Sequence, residues 1–252
     1  MVPRRSLCLA LATLFLAALP AAAAAAERTT SATGVAEVQG ANVYVEVFVQ
    51  VPHGQSARQA AGAALADQGA RPVQQPSGPG GPGFTGLVWD VLPVPQSYNP
   101  AGDPVGAGSA LGATQAAWSS VPGSDFAISS GGQTSRCPSI VQECPGPQVL
   151  DGFNDVGWAR LSPNTLGVTW STTGGVDEAD MALNTRVPWS AGCTNVAGRF
   201  DVQTVLLHEN GHVAGLDHAT STASVMYPSY QAARCSLGAL DQDAIRTLYP
   251  GR

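Results

Sequence analysis

The sequence predicts a fold of the α+β class, on three observations. Between Asn42 and Val51 apolar and polar side chains alternate, which is typical of a strand with two different faces. The alanine-rich stretch Gln55 to Gln68 and the stretch Gly108 to Ser119, whose large apolar residues recur at helical spacing, favour helices. A further helix is predicted to begin after Asp201, because aspartate is a common N-cap residue.

The last of these helices carries a concentrated set of metal ligands. His208 and His212 are four residues apart, so both imidazoles point from one face of the helix towards one ion. Glu209 lies beside them and can reach a water on that ion. Gly215 allows the chain to leave the helix, and the turn brings His218 round as a third ligand. Three protein ligands with an open fourth position are typical of a catalytic zinc site.

A His-Glu-x-x-His sequence can also arise by chance, as two surface histidines on either side of a solvated glutamate. Here it continues to a third histidine and is followed eight residues later by Met226. The whole string resembles the signature of metzincin proteases with their Met-turn, and Met226 to Tyr230 resembles the matrixin branch. The resemblance implies a zinc endopeptidase in which Glu209 is the general base and Met226 an apolar support beneath the imidazoles.

The resemblance to matrixins covers the chain from Trp89 onward and places the peptidase domain at residues 84–252. It implies a twisted mixed sheet of about five strands, two long helices, the Met-turn and a C-terminal helix capped by Asp241. In the family, the strand matched by Thr165 to Trp170 is an edge that pairs with extended substrate. The five strands are expected within Trp89–Asn99, from Phe126 onward, and within Asp151–Trp158, Thr165–Trp170 and Glu178–Asn184.

The same resemblance assigns a substrate pocket. Pro228, Ser229 and Tyr230 match the wall of the pocket that receives the side chain after the scissile bond, and Thr204 stands where the family sets the depth of that pocket. Threonine is short, so the pocket should be open and accept Leu, Ile, Met or Phe. Asn210 departs from the family, which mostly has an apolar residue there; this affects packing rather than ligation.

The N-terminal third is expected to be processed. Residues 1–26 have the basic, apolar and small-residue regions of a secretory signal peptide. Residues 27–83 are either a propeptide-like or an accessory segment, ending in a flexible linker from Gln74 to Gly83. No cysteine lies between Ala26 and Cys137, so the cysteine that blocks the zinc ion in many matrixin propeptides is absent.

Four cysteines remain after removal of the signal peptide, which contains Cys8. An even number in an exported chain favours disulfides, and their spacing fits no metal-binding pattern. Three pairings are open to the sequence, of which we favour Cys137 with Cys144 and Cys193 with Cys235.

Composition and charge limit the classes of partner that the protein is expected to bind. Removal of Arg4 and Arg5 changes the formal charge from −6 to −8, which argues against nucleic acid or an acidic membrane as partner. No later segment is apolar enough to span a membrane. All 12 basic residues are arginine, which indicates a GC-rich coding sequence and favours a bacterial source. We expect a monomeric, secreted protein that acts on protein or peptide substrates.

One catalytic zinc ion is the expected cofactor. The second, structural zinc of vertebrate matrixins is not carried over, because the only other histidine is His53. Calcium at Asp177, Asp180 or their neighbours stays open, since loop aspartates are more often solvated or turn-forming. Two other functions also stay open: a secreted zinc-binding protein without turnover, and a zinc hydrolase of non-peptide bonds.

Overall fold

The computed structural model describes residues 29–73, 80–141, 143–173 and 178–252. The predicted signal peptide, most of the predicted linker and Asp177 lie outside these residues. The described strands are β1 Thr29–Val38, β2 Ala41–Gln50, β3 Arg71–Pro72, β4 Pro82–Phe84, β5 Val94–Tyr98, β6 Ile128–Gln133, β7 Asp155–Ala159, β8 Thr165–Thr172, β9 Ala179–Asn184, β10 Trp189–Ser190, β11 Phe200–Asp201 and β12 Leu216–Ala219. The described helices are α1 Ala57–Asp67, α2 Gly108–Ser119, α3 Val202–Val213 and α4 Ala239–Leu248.

Eight of these strands form one mixed sheet in the order β3-β1-β2-β8-β9-β7-β5-β6. The α+β class is therefore confirmed. The expected sheet of about five strands corresponds to β5–β9, but the sheet itself is larger because β1–β3 extend it. The prediction that Thr165 to Trp170 forms an edge was wrong, since β8 pairs antiparallel with β2 on one side and with β9 on the other. The alternating strand near the N-terminus satisfies the hydrogen-bonding groups that an edge would leave open.

The two faces of the sheet have separate apolar cores. On one face α2 and α3 pack together over a core that includes Trp118, Leu206 and Met226. On the other face α1 packs against β1 and β2, with Leu65 fully buried. Ser56 is the N-cap residue of α1 and forms a capping box with Gln59, which lies within the predicted helical stretch Gln55 to Gln68. The sheet thus joins the N-terminal segment to the part of the chain that carries the histidines.

Several predicted elements differ at their ends for local reasons. The strand expected from Trp89 begins only at Val94, because Trp89 instead donates its indole N–H to the Val213 carbonyl at 2.7 Å. The end of the predicted linker is part of a strand: Pro82–Phe84 pairs antiparallel with Leu216–Ala219. Asp241 does not occupy the N-cap of α4, which is Gly238, but stands three residues on and accepts the Gly238 N–H at 2.8 Å.

Disulfides join Cys137 to Cys144 and Cys193 to Cys235, the pairing that the sequence favoured. The second ties the loop before α3 to the segment that follows the predicted Met-turn. Within the described residues, no helix combines the length and apolar character needed to cross a membrane.

Candidate metal centre

Helix α3 is fixed at both ends by the residues that the sequence singled out. Asp201 is its N-cap and accepts the Thr204 N–H at 2.9 Å. At the other end Gly215 has φ of 90°, a conformation that favours glycine, and a Cβ there would collide with the Leu87 carbonyl. The chain therefore turns sharply after α3 and enters β12, which carries His218 back towards the helix.

The three histidines converge through their Nε2 atoms. His208 Nδ1 lies 2.8 Å from the Val225 carbonyl and His212 Nδ1 lies 2.9 Å from the Leu216 carbonyl. A carbonyl only accepts, so each Nδ1 is the protonated nitrogen and each Nε2 has a lone pair. The two Nε2 atoms are nevertheless 3.1 Å apart, and the buried Nε2 of His218 has no hydrogen-bond partner. Two lone pairs that face one another at this distance call for a cation between them, either a proton or a metal ion.

These donors fit zinc. Neutral imidazole is a good zinc ligand, and burial lowers the pKa of His212 well below its ordinary value, which keeps the ring neutral. Two ligands of a tetrahedral zinc ion are about 3.3 Å apart. The 3.1 Å between the Nε2 atoms of His208 and His212 is close to this separation. The hydrogen bonds from Nδ1 to backbone carbonyls fix the orientation of both rings.

A fourth donor comes from β2. Glu46 Oε1 lies 3.4 Å from His218 Nε2, 3.8 Å from His212 Nε2 and 3.9 Å from His208 Nε2. The four ligand atoms are all within 4.8 Å of one another. Both carboxylate oxygens of Glu46 are buried and accept no hydrogen bond. Burial by itself raises the pKa of Glu46, and positive charge held at the imidazoles, at His212 foremost, lowers it below its ordinary value, so a cation bound there would keep the group a carboxylate.

Glu209 lies beside this cluster and points at the sheet. Its Oε2 accepts the hydroxyl hydrogen of Thr169 on β8, whereas its Oε1 is buried without a partner. Burial first, and the neighbouring Glu46 carboxylate second, raise the pKa of Glu209 well above its ordinary value. A carboxyl group with a raised pKa, one oriented oxygen and one unengaged oxygen suits proton transfer to and from a water.

Met226 packs against α3 at Gly211, the residue before His212. A Cβ on Gly211 would lie 2.9 Å from Met226 Cε and closer still to the sulfur, so only glycine leaves room for this side chain. The segment is held by Asp241, whose carboxylate accepts the Val225 N–H at 3.0 Å and the Ser224 hydroxyl hydrogen. Met226 is fully buried. Its predicted role beneath the imidazoles stays a prediction.

Asn210 proves to be part of a buried polar network, which accounts for its departure from the family. Its side-chain oxygen Oδ1 accepts a hydrogen bond from Gln96 Nε2 at 3.0 Å, and its side-chain nitrogen Nδ2 donates one to the Thr114 hydroxyl at 2.8 Å. Gln96 in turn accepts from Gln115 at 3.0 Å. The network joins α3 to β5 and α2 from the side of the helix opposite His208 and His212.

The predicted pocket residues mostly meet beside His208. One cavity is lined by Thr204, Ser229 and Tyr230, whereas Pro228 is not part of its lining. The Thr204 hydroxyl donates to Asp201 Oδ1 at 2.8 Å and accepts the Arg234 N–H at 2.7 Å, so it serves the helix cap as well as the cavity. The cavity also contains a residue from β2, Phe48, whose ring centroid is 5.1 Å from that of His208.

The candidate calcium ligand Asp180, which lies among the described residues, makes hydrogen bonds to the backbone instead. Asp180 is fully buried and accepts backbone N–H groups from Asp155 at 2.9 Å and Ile140 at 3.0 Å. Burial raises its pKa to about 8. Among the described residues, the only group of three or more histidine, cysteine or acidic side chains close enough to hold one ion is the cluster of Glu46 and the three histidines.

Sequence reasoning missed Glu46, Phe48 and Thr169. The sequence predicts a strand between Asn42 and Val51 but assigns Glu46 and Phe48 no role, and the signal that could have identified Glu46 is a single acidic residue within a valine-rich run. Thr169 carries no recognisable signal, because its role depends on the distance between β8 and α3.

Comparison with known proteins gives a match in the same region. Residues 162–250 match the family model of peptidase M10, described as matrixin. The chain is 39% identical over 56 residues to metalloendoproteinase 1 of Glycine max, covering 21% of this chain and 18% of that protein. It is 28% identical over 99 residues to the probable matrix metalloproteinase 095L of Invertebrate iridescent virus 3, covering 39% of this chain and 27% of that protein. The aligned parts are thus about a quarter or less of these relatives.

Proposed function

Because the chain is matrixin-like in its C-terminal part, we propose that it is a secreted zinc-dependent endopeptidase. One observation carries the proposal: three histidine Nε2 atoms converge on a point that also adjoins a buried carboxyl group, Glu209. His208, His212 and His218 would hold the ion. When bound, zinc supplies Lewis-acid chemistry and makes a water nucleophilic at neutral pH.

The protein's own groups would move the proton. Thr169 fixes Oε2 of Glu209, so Oε1 is the oxygen that accepts a proton as water attacks the scissile carbonyl. Burial favours the protonated form of Glu209 that results, and the same group then delivers this proton to the leaving amine. Thr204, Pro228, Ser229 and Tyr230 remain the proposed wall of the pocket for the side chain after the scissile bond.

Glu209→Ala tests the catalytic role. The variant should keep its zinc, because Glu209 is not a ligand, and should lose about 10²–10⁴-fold in peptide hydrolysis, as expected for a missing general base. His218→Ala should instead lower zinc content. The assay is cleavage of casein and a peptide library by the processed chain, with and without a chelator, beside zinc analysis. Asp90→Ala, at an exposed acidic position that the processed chain retains, is the matched control.

A second candidate has one observation in its favour. Glu46 supplies a fourth protein donor, and a zinc site closed by four donors is typical of structural rather than catalytic sites. If zinc is bound but no processed form cleaves any peptide or ester, the protein is a zinc-binding protein without turnover. Near-normal turnover by Glu209→Ala would contradict the proposed mechanism.

Export is part of the same proposal. The matched family is typically extracellular, and both disulfides suit an oxidising compartment. Protein recovered from the culture medium should begin after Ala26 when its N-terminus is sequenced, whereas retention of residues 1–26 would contradict a signal peptide.

A further inference from the structure

Strand β2 lies where the peptidase resemblance expects an extended substrate. It pairs antiparallel with β8 from Val43 to Val49, along the strand expected to be an edge. In this register Glu46 is opposite Thr169, the residue that orients Glu209. The backbone hydrogen bonds of β8 that a substrate would use are therefore made within the chain.

Glu46 stands at the fourth position of the metal centre. Its carboxylate has lost all contact with solvent, and neither oxygen accepts a hydrogen bond. A buried charge without a partner is strongly unfavourable, and a cation held by the three imidazoles is the partner within reach. Carboxylate oxygen is a normal zinc ligand, so Glu46 occupies the place that a catalytic site leaves for water.

Phe48 forms part of the wall of the side-chain cavity next to His208. Side chains two residues apart on a strand share a face, so Phe48 points to the same side as Glu46. The valines at 43, 45, 47 and 49 pack in the core beneath α1, but Phe48 belongs to the core of α2 and α3. It lines the cavity with Thr204 and Tyr230. A large apolar side chain is what this pocket was predicted to bind.

A third contact lies at the start of β1. The Thr29 hydroxyl accepts the Tyr230 N–H at 2.7 Å, so the N-terminal segment also touches the backbone of the proposed pocket wall. Residues 29–50 thus reproduce two features of a bound substrate, the paired strand and the group at the metal, and they add one side chain to the wall of the cavity.

We propose that β1 and β2 form a built-in pseudosubstrate, in which Glu46 is a fourth zinc ligand and Phe48 narrows the specificity cavity from its wall, so that the full chain is latent. The proposal rests on the proposed function, since only an enzyme has a latent form. In this arrangement a carboxylate takes the place of the cysteine that blocks zinc in many matrixin propeptides, and no cysteine is present in residues 27–80. Thiol-reactive mercurials should therefore not activate the chain, and removal of residues 29–50 should.

The test uses the zinc-loaded full chain and the binding of acetohydroxamate, a small zinc ligand without a side chain. Glu46→Gln should bind it at least about 10-fold more tightly than the wild type, because a neutral amide yields the fourth position more easily. Glu37→Gln, an exposed glutamate on β1, should match the wild type. Phe48→Ala should improve binding only for a hydroxamate that carries a benzyl group, since it opens the cavity and not the metal.

Hydrogen exchange gives a second readout on the wild type itself. Zinc should slow exchange of the β2 amides, because Glu46 ties the strand to the metal, and this zinc effect should be lost in Glu46→Gln. Equal acetohydroxamate affinity of wild type and Glu46→Gln, or β2 exchange that is indifferent to zinc, would overturn the pseudosubstrate. If Glu46→Gln binds acetohydroxamate tightly but neither this variant nor wild-type chain from which residues 29–50 have been removed cleaves any peptide, the blocked metal site stands and the peptidase proposal fails.

Discussion

Gly211 lies inside α3, where alanine is normally the better helix residue. Gly→Ala in a helix interior stabilises by roughly 0.5–1 kcal/mol when the added methyl group has room. At Gly211 it does not have room: the Cβ would lie 2.9 Å from Met226 Cε and 3.0 Å from Trp118 Cζ2. Met226 and Trp118 are both fully buried, so neither moves freely. Overpacking of this kind costs about 1–3 kcal/mol.

The balance predicts that Gly211→Ala destabilises the protein by up to about 2.5 kcal/mol and does not stabilise it. Gly112→Ala is the matched control, since Gly112 is exposed in the middle of α2 and an added Cβ would touch nothing within 4 Å. That variant should be more stable than the wild type by about 0.5–1 kcal/mol. Urea unfolding of both variants measures the difference.

A double variant locates the cause. Met226→Ala alone should cost about 2–5 kcal/mol through the cavity it leaves. If the methyl group at position 211 clashes with Met226, Gly211→Ala together with Met226→Ala should cost less than the sum of the two single changes. Stabilisation by Gly211→Ala to the same extent as by Gly112→Ala would refute the contact between Met226 and α3.

Three further predictions concern pH, specificity and the disulfides. Burial raises the pKa of Asp180 from 3.8 to about 8, so the folded protein binds this proton more tightly than the unfolded chain does. The stability that the proton contributes is fully present below pH 3.8 and is lost as the pH rises towards 8. Unfolding free energy should fall across this range by at most ~1.4 kcal/mol per pH unit from this group, and Asp180→Asn should flatten that slope; an unchanged slope would contradict the assignment. Thr204→Arg should shift peptide-library cleavage towards smaller residues after the scissile bond, whereas Thr204→Ser, which keeps the hydroxyl, should not; an unshifted profile for Thr204→Arg would remove Thr204 from the pocket. Reduction should lower stability by about 2–5 kcal/mol per disulfide, and alkylation of all four thiols without prior reduction would rule out both bridges.

The elements that the sequence predicted well are those set by local spacing. Histidines four residues apart, an aspartate before a helix and a glycine after it determine α3 and its turn through contacts within about ten residues. The same holds for the capping box of α1 and for the apolar spacing of α2, which are both local. The position of His218 follows from the turn at Gly215.

What the sequence did not predict depends on pairing between distant segments. Glu46 reaches the metal centre only because β2 pairs with β8, more than a hundred residues further along the chain. The alternation in β2 showed two faces, and it could not show that the less apolar face meets the histidines. Similarly, Asn210 looked like an exception in an apolar position until Gln96 and Thr114 came within hydrogen-bonding distance.

The position of zinc in the full chain is the most direct test of whether the three histidines and Glu46 form one metal centre. Crystals of the zinc-loaded protein, measured on both sides of the zinc absorption edge, should show one anomalous peak per chain. The peak should be bonded to Nε2 of His208, His212 and His218, with a carboxylate oxygen of Glu46 completing the site. A zinc peak bound elsewhere, or a peak at the histidines from which Glu46 has turned away to leave a water in the fourth position, would contradict the structure of the metal centre described above.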